Sequence, residues 1–136
     1  MSETLKPGLS LTRRIQVDRD RTISFMGDDC RVYATPKLLY DIEYACRDLL
    51  VEHIEPGKDS VGTRVELDHI GATMMGMWVD ISVTIAEVKG AAVSFSFSAR
   101  DAIEEVARGK HQMDKQRSVL IQHIGSPPLI GSLLTS

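Results

Sequence analysis

The chain has 136 residues, 43% hydrophobic and 26% charged, with a formal net charge of −3 at pH 7. That is the size and balance of one globular domain that buries roughly two-thirds of its unfolded surface, so it needs no covalent staple to fold. It has no basic stripe with interleaved aromatics and no apolar run near the ~20 residues of a membrane helix, which argues against nucleic acid and the bilayer as partners.

The first ten residues, MSETLKPGLS, carry no apolar segment of the signal-peptide kind. The two cysteines, Cys30 and Cys46, make no disulfide framework, and neither has a Cys or His at metal-ligand spacing. No metal site is expected, and a reducing cytoplasm is the expected setting.

In chain order, LSLTRRIQVD (Leu9 to Asp18) reads as a first strand, followed by a polar connector, RDRTISFMGDDCRVYA. Thr35-Pro36 then signals a helix start, with Thr35 as the expected N-cap and Pro36 at a position where no N–H is needed. Leu38, Leu39, Ile42, Ala45, Cys46, Leu49 and Leu50 recur at three- and four-residue spacing, so the helix runs four or five turns and stops before Pro56-Gly57. Four strands follow: SVGTRVELDHIGA, GMWVDISVTIAEVKG, AAVSFSFSARD and IEEVARGKHQMDKQ, the last losing its alternation beyond His111. Lys89-Gly90 marks a hairpin between the second and third of these. The tail, IGSPPLIGSLLTS, is expected to have no regular structure.

Strand, helix, then four strands on short connections predict a mostly antiparallel sheet packed on one long helix, an α+β layer architecture. Such a sheet has open edges, and pairing between two copies would remove two of them, which predicts a dimer.

Three polar residues stand out against this pattern. In TRVELDHI, His69 shares parity with Val65 and Leu67, where a third aliphatic residue would fit. A core histidine bonded to a backbone carbonyl is the plain reading, but a buried imidazole needs a partner in any case. Glu43 lies on the shoulder of the helix, roughly 90° from the centre of its apolar stripe. Its plain reading is a solvated carboxylate paired with Arg47 one turn on. Thr35, at the helix start, lies where N–H groups and the positive end of the helix dipole gather. Together a hydroxyl, a carboxylate two turns on and an imidazole facing the same helix suit acyl transfer to water.

These residues and their surroundings resemble the fluoroacetyl-CoA thioesterase family of the hot-dog-fold superfamily. The likeness runs from about Ala34 to His111 and more weakly from Leu9. It is carried by ATPKLLYDIEYACRDLL, PGKDSVGTRVELDHIGAT, the Gly76 turn before WVDISVTIAEVKG, and FSFSARD leading to GKH. The resemblance implies a single hot-dog domain over residues 1–136, with an antiparallel sheet of about five strands wrapped around a central helix. It also implies a homodimer or higher homo-oligomer and a pantetheine tunnel near the dimer interface. Family catalytic roles fall on Thr35, Glu43 and His69, and Gly62 matches a glycine close to the bound acyl group. The implied activity is hydrolysis of a small acyl-CoA thioester, with CoA as part of the substrate and no separate cofactor. A non-catalytic acyl-CoA or small-ligand binding protein on the same fold is the alternative.

Two differences from the family stand in the sequence. The segment before Thr35 is shorter than the family's aromatic lid and keeps only Phe25 and Tyr33. The family's Gly-x-His-x-Arg pattern reads Gly109-Lys110-His111-Gln112-Met113, with methionine in place of arginine.

Overall fold

The computed structural model describes residues 5–55 and 58–117; the tail from residue 118 lies outside the described residues. Strand β1 (Ser10–Gln16) leads into the connector, which holds two 3-10 turns and a small ribbon of β2 (Thr22–Ile23) and β3 (Val32–Tyr33). Helix α1 (Thr35–Val51) follows, then β4 (Lys58–His69), β5 (Trp78–Lys89), β6 (Ala92–Arg100) and β7 (Glu105–Arg117). The five long strands form one sheet in the order β1-β5-β6-β7-β4, every neighbour antiparallel. No helix among the described residues is long and apolar enough to cross a membrane.

Alternation builds the inner face of this sheet. Val79, Ile81, Val83 and Ile85 of β5 and Val93, Phe95, Phe97 and Ala99 of β6 are buried against Leu38, Ile42, Ala45, Cys46, Leu49 and Leu50 of α1. Each fully buried aliphatic or aromatic side chain contributes about 1.5–3 kcal/mol, so this layer is the main driving force for folding. The β5–β6 hairpin turns at Gly90, whose φ of 60° suits a residue without Cβ. β7 continues to Arg117 because the inner-face alternation does not stop at His111; Met113 carries it on, and both are buried. Methionine and histidine are simply weaker sequence signals than valine.

Cross-strand rows on the inner face position the site. One row reads Arg13, Ile81, Ala99, Ala107, His69 from edge to edge; another reads Ile85, Phe95, His111, Val65. A bulge between Gly62 and Arg64 adds one residue to β4, so Gly62 lies on the same face as Val65, Leu67 and His69. Gly109 is required by close approach, since a Cβ there would overlap the Glu66 carbonyl oxygen and crowd Phe97.

Two polar networks tie the connector and the loop after β4 to this frame. Arg21 donates to both carboxylate oxygens of buried Asp41 on α1, at 2.8 and 3.1 Å, and Tyr33 donates its hydroxyl to the same group. The Tyr33 N–H donates to the Thr73 carbonyl at 2.9 Å, and the Thr73 hydroxyl donates to Asp101 at 2.9 Å. Asp101 also accepts from the N–H groups of Ile103 and Glu104. Connector, helix and loop are thereby held around one opening.

Candidate active site

The helix start differs from the expectation in a way that matters. Ala34, with ψ of 137°, is the N-cap, and no side chain caps the helix. Thr35 is the first helical residue, so its hydroxyl is not engaged by the helix's own N–H groups. Instead Thr35 Oγ1 lies 2.7 Å from His69 Nδ1. β4 runs beside α1 so that its C-terminal end delivers His69 to the first turn of the helix.

The two residues line a cavity of about 590 Å³. Phe25, Val32, Ile70 and Ala72 supply much of its apolar wall. Phe25 lines the cavity and is 86% exposed, whereas Tyr33 is buried with its hydroxyl held by Asp41. Of the two aromatics before Thr35, only Phe25 is therefore free to cover a ligand.

His69 is half-buried, and its Nε2 is enclosed without a hydrogen-bond partner. Burial pushes the imidazole below its ordinary value; the Gly71 backbone pulls the other way from nearby without reaching hydrogen-bond geometry. The ring is thus neutral at pH 7 and able to take a proton. Hydroxyl and neutral imidazole make a proton-transfer pair facing a largely apolar, open cavity.

Glu43 lies elsewhere along the same helix. Eight residues separate it from Thr35, about 12 Å of axial rise. It is not paired with Arg47, whose guanidinium instead donates to both oxygens of Asp59 at 3.0 and 2.8 Å. Its neighbours are Gly62 and His111: Glu43 Oε2 is 4.0 Å from His111 Nε2, and a Cβ built on Gly62 would stand 3.2 Å from the same oxygen. The structure therefore groups the four sequence candidates as two pairs, Thr35 with His69 and Glu43 with Gly62, two helical turns apart along α1. His111 was given no role in the sequence. Its signal there was its place in the family's Gly-x-His-x-Arg pattern, and its position opposite Val65 depends on a register that the sequence does not reveal.

Residues 17–114 match the family described as FlK, fluoroacetyl-CoA-specific thioesterase. The fluoroacetyl-CoA thioesterase of Streptantibioticus cattleyicolor is 32% identical over 81 residues, which are 60% of this chain and 58% of that protein. The matched part thus spans less than two-thirds of that relative's length. A crystal structure of a point mutant of the fluoroacetyl-CoA-specific thioesterase FlK superposes with a TM-score of 0.82 at 23% identity, covering 91% of this chain and 97% of the other. A thioesterase superfamily member from Thermus thermophilus gives a TM-score of 0.79 at 21% identity, covering 87% and 88%. At those identities the structural likeness establishes the hot-dog fold.

Proposed function

The chain belongs to the fluoroacetyl-CoA-specific thioesterase family, and on that premise we propose that it is a single-domain acyl-CoA thioesterase that releases a small carboxylic acid and free CoA. The observation that carries this reading is the 2.7 Å contact between Thr35 Oγ1 and His69 Nδ1 in the wall of the cavity. With a neutral ring, Nδ1 accepts the proton of the Thr35 hydroxyl or of a water held by it. The oxygen so activated attacks the thioester carbonyl, the C–S bond breaks, and the imidazolium returns its proton to the departing thiolate. Water supplies the final acyl acceptor, so the sum is thioester plus water to acid plus thiol.

Glu43 enters this chemistry as the carboxylate that orients the attacking water or takes the acyl group. Within one chain it stands two turns from Thr35, and a second copy brings the halves closer. β4 is an edge strand, with Val61 40% and Val65 37% exposed beside the half-exposed Glu43. Two β4 edges paired about a two-fold axis run in opposite directions, so each carries its His69 end toward the other's Gly62 and Glu43. The homodimer also covers a long strand edge that would otherwise be open to aggregation. Met113, buried opposite Gly62 where the family pattern has arginine, makes the surroundings of Gly62 apolar.

The test is thiol release from a panel of acyl-CoA esters by the wild type, His69→Ala and Glu43→Gln. Release from short acyl esters that is lost in both variants supports the proposal. Tight binding of the esters with no release by the wild type would replace it with a non-catalytic acyl-CoA binding protein.

A further inference from the structure

We infer that His111 is a positioning residue that holds the Glu43 carboxylate, an inference that rests on the reading of Glu43 as part of the site. The His111 side chain is 1% exposed, and its Nδ1 lies 3.1 Å from the Arg64 carbonyl oxygen. A carbonyl can only accept, so Nδ1 carries a hydrogen and donates it. In the neutral ring this leaves the lone pair on Nε2. That atom is buried, has no hydrogen-bond partner, and faces Glu43 Oε2 at 4.0 Å.

With the ring neutral, the Nε2 lone pair faces the carboxylate. When Nε2 takes up a proton it becomes a donor aimed at Oε2, which engages one carboxylate oxygen and leaves the other for the cleft. A small rotation of the half-exposed Glu43 side chain closes the gap. Gly62 makes that closure possible, since a Cβ there would stand 3.1 Å from His111 Cε1 and 3.2 Å from Glu43 Oε2.

The His111 side of the pair is enclosed, and the Glu43 side is half-exposed. Burial lowers the affinity of His111 for a proton, and the charge of Glu43 and the Arg64 carbonyl oppose it. From α1, Arg47 one turn on is held by Asp59, and burial and the Glu43 charge push the Cys46 thiol up, out of the physiological range. From β6 the ring of Phe95 lies with its centroid 6.4 Å away. Arg64 reaches the imidazole through its backbone, and Lys110 and Gln112 alternate to the opposite face of β7.

Two measurements test this. Side-chain ¹⁵N NMR titration of His111 in the wild type and in Glu43→Gln needs no substrate. His111 is expected to titrate about one pH unit lower in Glu43→Gln, because an opposite charge at this range favours the protonated ring. An unchanged titration overturns the inference. The second measurement is turnover by His111→Asn, whose amide keeps a donor for the Arg64 carbonyl and removes Nε2. We expect kcat to fall about tenfold with KM little changed, as for loss of an interaction used in the chemical step. In the Glu43→Gln background the same change should cause no further loss. An equal loss in both backgrounds means His111 is only structural. Full activity of Glu43→Gln alone would remove the reading of Glu43, while the titration would still decide whether His111 holds the carboxylate.

Discussion

Thr35 Oγ1 meets His69 Nδ1 at 2.7 Å because the helix N-cap is the residue before it. A threonine one position earlier would spend its hydroxyl on the N–H groups of the first turn. Substitution of His69 by alanine should lower thiol release at least ~10²-fold, the usual size of a general-base contribution. Thr35→Ser should keep most of the turnover and Thr35→Val should lose it. Steady-state assays with a short acyl-CoA read all three, and a Thr35→Val variant as active as the wild type would remove the hydroxyl from the chemistry.

The pH dependence follows from the lowered proton affinity of His69. The base must be neutral, so kcat/KM should rise with pH and level off with an acid-limb midpoint below the ordinary imidazole value of 6.5. Stability should move the same way. His69 and His111 both bind protons less readily folded than unfolded, so the unfolded chain takes up more protons in acid. Their contribution is fully present above 6.5 and is lost as the pH falls from there through the folded values. A pH series of urea midpoints and of initial rates checks both. An acid limb centred above 6.5 contradicts the assignment.

Gly62 separates space from fold. Its substitution by alanine places a methyl 3.1–3.2 Å from His111 and Glu43 without any forced backbone change. The flexible end of Glu43 can move away, so the expected outcome is a thermal midpoint close to wild type with thiol release reduced by about tenfold or more. Gly109→Ala provides the contrast. Its methyl meets the Glu66 backbone, so β4 separates from β7 and the protein should be severely destabilised.

Asp41, itself buried, accepts from both Arg21 and Tyr33. Asp41→Ala leaves a buried phenol and a partly buried guanidinium without their acceptor. A loss of about 3 kcal/mol is expected from denaturant unfolding, since a broken buried pair leaves uncompensated polar groups. Burial and the hydrogen bond to Asp41 raise the Tyr33 phenol out of reach of physiological pH, so it stays a donor throughout. The same substitution frees the connector that carries Phe25 over the cavity and should raise KM.

The exposed valines of β4 make the proposed dimer testable. Val65→Lys places a charge on the edge strand proposed to pair with a second copy, and sedimentation should then report a monomer with little thiol release. A fully active monomer would show that one chain holds the complete site.

The sequence by itself determined the order of elements, the face of α1 that is buried, the alternation of β5 and β6, and the parity of His69. These are local properties, written in spacings of two and of three to four residues. It also determined which residues had the chemistry to matter. Thr35 meets His69, and Glu43 stands beside Gly62. Only the tertiary structure decided how they group. The β4 bulge that puts Gly62 on the inner face, the register that sets His111 opposite Val65, and the shift of the N-cap to Ala34 each depend on contacts between segments far apart in the chain. A one-residue change in any of them would turn a side chain to the other face or engage its hydroxyl elsewhere, and no local pattern records which register the packed core prefers.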